Sequence, residues 1–106
     1  MAWLYLGIAA ALEITWAFGM KKSEGFARLD WSVITIVTTI GSFAFLALAM
    51  RSLPLGTAYT IWTGIGAVGA FLLSVFVLGE SAGTLRLIAA FLIVSGLVLM
   101  KITAIE

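Results

Sequence analysis

The 106-residue sequence contains no cysteine and no histidine, a single proline and few charged residues. Without cysteine there is no disulfide framework and no thiolate metal site, and without histidine the commonest transition-metal ligand is missing. We therefore expect no metal site and no cofactor. Charged residues make up 10% of the chain and hydrophobic residues 63%, whereas a soluble domain is about a quarter charged and about half apolar. This composition predicts a single membrane domain over residues 1–106.

The missing side chains also exclude most enzyme classes. A Ser–His or Cys–His pair of nucleophile and base cannot form without histidine, and the sequence has no glycine-rich phosphate loop. The formal net charge of +1 gives no reason to expect nucleic-acid binding. We expect a protein that is not an enzyme, does not bind nucleic acid and is surrounded by membrane lipid.

Four apolar runs predict four transmembrane helices, over about residues 2–20, 31–50, 57–78 and 85–102. At about 1.5 Å per residue, runs of this length match a hydrocarbon core of about 30 Å. Asp30 and Thr57 precede or begin two of the runs and are expected to cap those helices. The predicted fold class is an all-α integral membrane protein that crosses the membrane four times.

Glu13 lies near the middle of the first run, where an unneeded carboxylate costs on the order of 3 kcal/mol. A buried carboxylate needs a proton or a cation to neutralise it, and tryptophan ring faces attract cations. Trp16 and Trp62 offer such faces and indole N–H donors to Glu13, while Ser42 and Tyr59 offer hydroxyls that can orient it. We predict that these five residues form one site used alternately by proton and cation, as an antiporter requires. The alternative is a glutamate that only bridges helices.

Small residues predict where helices approach each other closely. Gly64 and Gly66 weaken helix 3 and permit a kink or a close helix contact. Ala89, Ile93 and Gly96 lie on one stripe of helix 4, which is typical of a helix–helix contact. The spacing alone does not distinguish a dimer contact from packing within one chain. Four short helices can hardly enclose a gated pathway, so we expect two copies that share one cavity lined by both Glu13 carboxylates.

Lysine and arginine residues give only a weak signal for orientation. Four spans place both termini on the same side of the membrane. The side with the first and third loops carries four basic residues and the other side two, so the difference is 4 − 2 = 2. Under the positive-inside rule such a bias leaves both orientations plausible. The two sets are Lys21, Lys22, Arg28 and Arg86, and Arg51 and Lys101.

Three segments carry a resemblance to a known family. They are Glu13-Ile14-Thr15-Trp16-Ala17, the run Lys22-Ser23-Glu24-Gly25-Phe26-Ala27-Arg28, and residues 53–66. Together they resemble the small multidrug resistance transporters over nearly the whole chain. Trp16, the Trp62-Thr63-Gly64 run and Lys101 are similar to the guanidinium-exporter subtype. Ala27 departs from the threonine common in the family, and Phe18-Gly19-Met20 departs from a more branched or leucine-like sequence.

The resemblance implies a multi-pass protein of the bacterial inner membrane that works as an antiparallel, dual-topology homodimer. It implies proton-coupled export of guanidinium and small guanidinyl cations, with Glu13 taking proton or substrate. Helix 4 is the family's dimerisation helix, which favours the dimer interpretation of its small-residue stripe. Two alternatives stay open: a broader exporter of quaternary ammonium and hydrophobic cations, and a structural membrane subunit that transports nothing.

Overall fold

The computed structural model describes residues 1–103, which form four α-helices joined by short loops. Each helix is long and apolar enough to cross a membrane. Because the loops are short, successive helices run in opposite directions, and α1 begins at the end of the bundle where α4 ends. Residues 104–106 of the predicted domain lie outside the described residues. The helices are α1 (Ala2–Lys22), α2 (Leu29–Ala49), α3 (Leu55–Phe76) and α4 (Thr84–Ile102).

Two helices begin two residues earlier than the sequence predicts. Arg28, and not Asp30, occupies the N-cap of α2, and Asp30 lies in the first turn with its carboxylate 3.4 Å from the Arg28 guanidinium. Pro54, and not Thr57, precedes the first residue of α3. Its ring fixes φ at −62° and it has no N–H to leave unpaired, so the helix begins directly after it. The two predicted N-caps were therefore wrong, whereas both helices are present.

The loop between α1 and α2 is a tight turn built around Ser23. This side chain is fully buried, donates a hydrogen bond to the Met20 carbonyl at 2.8 Å and accepts one from the Phe26 N–H at 3.0 Å. Glu24, Gly25 and Phe26 have φ values of 53°, 73° and 68°. Left-handed backbone is unfavourable for residues with a side chain, so the Ser23 hydrogen bonds and the helix ends hold this turn in place.

The core lies where α1, α2 and α3 meet, and α4 stands outside it. α1 packs against α2 and α3, whereas α4 packs against α3. None of the described residues of α4 is fully buried. The four helices form a flat body of 43 × 34 × 16 Å, less than two helix diameters thick. The buried apolar residues are Leu6, Ala9, Ala10, Leu46, Ala49, Leu53, Ala58, Ile61 and Trp62.

Candidate functional site

The carboxyl group of Glu13 lies between α1 and α3, directly against Gly66. A Cβ placed on Gly66 would overlap the Glu13 Oε1 atom and lie 2.7 Å from its Cγ. Only a residue without a side chain leaves room for the carboxyl group at this point of α3. Gly66 was predicted to permit either a kink or a close approach. The structure shows the close approach, and α3 is continuous from Leu55 to Phe76.

A chain of buried hydrogen bonds connects α3, α2 and α1. The Trp62 indole N–H donates to the Ser42 hydroxyl at 3.0 Å, and that hydroxyl donates to the Ala9 carbonyl at 2.7 Å. Ser42 is completely buried and Trp62 is 4% exposed. This differs from the expectation that Trp62 and Ser42 donate directly to the Glu13 carboxylate, since both donors already have partners.

The hydrogen-bond chain and the glutamate are nevertheless neighbours. Ala9 and Glu13 lie four residues apart on α1, and Trp62 and Gly66 lie four residues apart on α3. The hydrogen-bond chain and the contact between Glu13 and Gly66 therefore lie about one helical turn, or about 5 Å, apart along the helices. In an α-helix the Ala9 carbonyl also accepts the N–H of Glu13. Ser42 thus bonds the peptide group that fixes the backbone of Glu13.

Aromatic rings surround the Trp62 indole. The centroid of the Phe43 ring lies 5.3 Å from that of Trp62, and the centroid of Tyr59 lies 5.6 Å from it, both tilted. Tyr59 is 51% exposed, so its ring covers Trp62 and also faces the surroundings. Of the predicted site residues, the structure brings Ser42, Tyr59 and Trp62 into one cluster.

Glu13 and Trp16 each carry a buried polar atom without a hydrogen-bond partner among the described residues. These atoms are the Glu13 Oε1 and the Trp16 Nε1. A buried polar atom that lacks a partner is costly. Glu13 and Trp16 lie three residues apart and share one face of α1. The Glu13 Oε1 is therefore available to accept a proton or a hydrogen bond from a ligand. The Trp16 indole N–H is available as a donor on the same helix face.

Three further contacts were not predicted from the sequence. Ile14 packs against Gly69, and Leu97 of α4 lies in the notch left by Gly64, with its Cδ2 2.6 Å from where a Cβ would be. The Ala9 carbonyl accepts the Ser42 hydroxyl. Small residues at these positions predict close contacts, but they do not predict which residue makes the contact.

The predicted stripe on α4 lies along grooves between α3 and α4. Ala89, Ile93 and Gly96 are exposed, and a Cβ on Gly96 would meet nothing within 4 Å. Ile93 and Gly96 line a groove of about 460 Å³ between α3 and α4. At Gly96 the structure therefore gives no support to the interpretation that this stripe packs against another helix of the same chain.

The fold and the four apolar helices define a multi-pass membrane protein. The chain matches the model of the family described as Small Multidrug Resistance protein over residues 1–103, and it belongs to that family. It is 52% identical over 103 residues to proteins named guanidinium exporter from Escherichia coli (strain K12), Citrobacter freundii and Salmonella typhimurium. The match covers 97% of this chain and 98% of each of these relatives.

Proposed function

We propose that this protein exports guanidinium and small guanidinyl cations across the bacterial cytoplasmic membrane in exchange for protons. The observation that carries this proposal is the buried Oε1 atom of Glu13, which has no hydrogen-bond partner among residues 1–103. In the proposed cycle Glu13 binds either a proton or the cation, and alternating access moves whichever is bound. The relatives named guanidinium exporter support the choice of substrate.

Guanidinium suits this site chemically. It is planar, and its paired N–H groups match the two oxygens of a carboxylate. It is weakly hydrated and stacks on aromatic faces. Trp16 lies on the Glu13 face of α1, and Trp62 and Tyr59 line the neighbouring turn of α3. We assign affinity to the tryptophan rings and orientation of the Glu13 backbone to Ser42.

We also propose that two copies assemble as an antiparallel homodimer with dual topology. A single chain is flat, 16 Å in its shortest dimension, and is too thin to surround a cavity by itself. The exposed stripe of Ala89, Ile93 and Gly96 offers a surface for the second copy. The difference of two basic residues between the two sides is compatible with insertion in either orientation.

Two alternative functions assign different roles to Glu13. A broader exporter would accept quaternary ammonium and hydrophobic cations at the same carboxylate. A structural membrane subunit would use Glu13 for assembly alone. The cost of a deep carboxylate without a partner argues against the second, because an assembly role would pair the group.

The test is transport by the reconstituted full-length protein. Liposomes with an inward or outward proton gradient are assayed with guanidinium, an alkylguanidinium and a quaternary ammonium ion. We expect proton-driven flux of the two guanidinyl cations and little flux of the quaternary ion. In detergent, addition of guanidinium should release protons. Comparable flux of all three would favour the broader exporter, and no proton release would favour the structural subunit.

Glu13→Gln isolates the role of the carboxylate. The amide keeps the size of the side chain but binds neither a proton nor a cation at neutral pH, so we expect coupled flux and proton release to be lost. Glu80→Gln is the matched control because Glu80 lies outside the helices in the loop before α4, and it should keep both. Retained proton-driven guanidinium flux in Glu13→Gln would contradict the mechanism.

A further inference from the structure

A second apolar groove lies apart from the Ser42–Trp62 cluster, between α1, α3 and α4. Its volume is about 510 Å³, within the range of small-molecule sites of about 300–1,000 Å³. Gly7 contributes to its depth, because a Cβ on Gly7 would meet nothing within 4 Å. The groove is open along its side and so faces the lipid.

One end of this groove carries a positive charge. Lys101 is the one charged residue among those that line it, and its Nζ lies 4.4 Å from the centroid of the Trp3 ring. Trp3 lies at the start of α1 and Lys101 at the end of α4, so both belong to the same membrane interface. A cation held over an indole at that level is placed to bind an anionic headgroup.

The groove extends from the membrane interface to beyond the middle of the bundle. On α1 its lining runs from Trp3 to Ile14, and on α3 from Ile61 to Leu72. Each stretch rises about 16 Å, close to half of the hydrocarbon thickness of about 30 Å. The α1 wall ends near the middle of α1, and the α3 wall continues to Leu72, about 10 Å beyond the middle of α3, so an acyl chain that starts at the interface has an apolar wall along its whole length.

The predicted dimer surface does not cover the groove. The α4 residues that line it repeat at helical spacing, whereas Ala89, Ile93 and Gly96 lie on another face of α4 and do not line it. A second copy seated on that stripe leaves the groove open to lipid. The groove-lining residues of α4 are Val94, Leu97, Val98 and Lys101.

We propose that this groove binds one anionic phospholipid of the surrounding leaflet, with the acyl chain along α1 and α3 and the phosphate at Lys101 beside Trp3. The membrane supplies this ligand, so the site is occupied wherever the protein is inserted. The site is independent of guanidinium binding, because Glu13 and the Ser42–Trp62 pair do not line the groove.

Spin-labelled lipids in vesicles of phosphatidylcholine test the proposal on the full chain. The preference of the protein for labelled phosphatidylglycerol over labelled phosphatidylcholine is measured by electron spin resonance. We expect Lys101→Gln to lower this preference by about fivefold, the effect of one basic residue near a membrane surface. Lys101→Arg should retain it. Arg51→Gln is the matched control, since Arg51 lies on the same side of the membrane but not in the groove.

A second pair of variants tests the apolar part. Gly7→Leu places a side chain into the open groove and should reduce the number of immobilised labelled lipids, whereas Ala11→Leu, on an exposed part of α1 outside the groove, should not. An unchanged preference in Lys101→Gln, an equal loss in Arg51→Gln, or no difference between the two leucine variants would overturn the proposal. Disulfide crosslinking of two Gly7→Cys chains would overturn it too, because a second copy would then cover the groove.

Discussion

At the scale of single residues, Glu13 and Trp62 are held in different ways. Trp62 is fixed by a hydrogen bond to Ser42 and by the rings of Phe43 and Tyr59. The Glu13 carboxyl group is held by shape, because the backbone of Gly66 leaves space for it. A carboxyl group positioned by shape can exchange its ligand without breaking a protein hydrogen bond. The fixed tryptophan and the exchangeable carboxyl group therefore have complementary roles in the proposed site.

Gly66→Ala tests this positioning. The added methyl group would overlap the end of the Glu13 side chain, which is flexible, so the carboxyl group should move while the helices stay packed. We expect the guanidinium affinity to fall by about tenfold or more, since displacements of about 1 Å can cost that much at a reactive site. Isothermal titration with guanidinium measures the change.

Gly56→Ala serves as the control for this substitution. Gly56 lies in the first turn of the same helix, and a Cβ there would meet nothing within 4 Å. Alanine also raises helix propensity by a similar amount at both positions. Equal affinities of Gly66→Ala and Gly56→Ala would show that the Gly66 notch does not position Glu13.

The sequence indicates which residues carry the site better than it indicates their partners. Glu13 stands out because a charge inside an apolar run is costly, and Ser42 and Trp62 follow from their depth. Depth does not fix the rotation of each helix about its axis. Whether the Ser42 hydroxyl faces the Glu13 carboxylate or the Ala9 carbonyl depends on that rotation, and α1 and α2 pack so that it faces the carbonyl.

At the scale of helices, α4 is set apart from the other three. Its contact with α3 includes Leu97, which fills the notch of Gly64. Gly64 lies two residues from both Trp62 and Gly66, so α4 is anchored beside the part of α3 that lines the candidate site. The exposed stripe of Ala89, Ile93 and Gly96 lies beside Leu97 on α4 and is left for the proposed second copy.

Gly96→Leu tests the dimer surface of α4. Because a Cβ on Gly96 would meet nothing within 4 Å among residues 1–103, leucine should fit the protomer but block close approach of a second helix. We expect the dimer dissociation constant to rise about tenfold or more, measured by dilution or crosslinking.

Leu99→Ala is the appropriate control for that experiment. Leu99 is 61% exposed, whereas Leu97 packs against Gly64 and its truncation would loosen α3 from α4. Dimer fractions of Gly96→Leu that match those of Leu99→Ala would count against α4 as the dimerisation helix.

The helix ends differ from their predicted positions by at most two residues. Apolar runs stop at charged residues and at Pro54, and these breaks locate the ends of membrane helices well. The turn at Glu24, Gly25 and Phe26 could not be predicted in the same way. Glutamate and phenylalanine rarely adopt left-handed backbone, and it is the buried Ser23 that stabilises it here.

At the scale of the whole molecule, the basic residues are almost balanced between the two sides. Adding two lysines to the loop between α1 and α2 would raise the difference from two to four basic residues (6 − 2 = 4) and should bias insertion toward one orientation. If function needs both orientations, this variant alone should lose export. Accessibility labelling of a single introduced cysteine near the C-terminus reads the orientation directly. Labelling of the unmodified protein from one side only would exclude dual topology.

Two Glu13 carboxyl groups in one cavity would couple proton release to cation binding. A guanidinium ion between them stabilises both carboxylates, so its binding should displace up to two protons. Protons and the cation then exclude each other from the site. Linkage therefore requires that added protons weaken the binding of the cation. The apparent guanidinium affinity should therefore fall as the pH falls, by about tenfold per pH unit for each proton displaced. Titration of guanidinium binding between about pH 5 and 9, bracketing the values of about 8–9 known for some buried glutamates, measures this slope. An affinity that stays constant over the range would refute competition at Glu13.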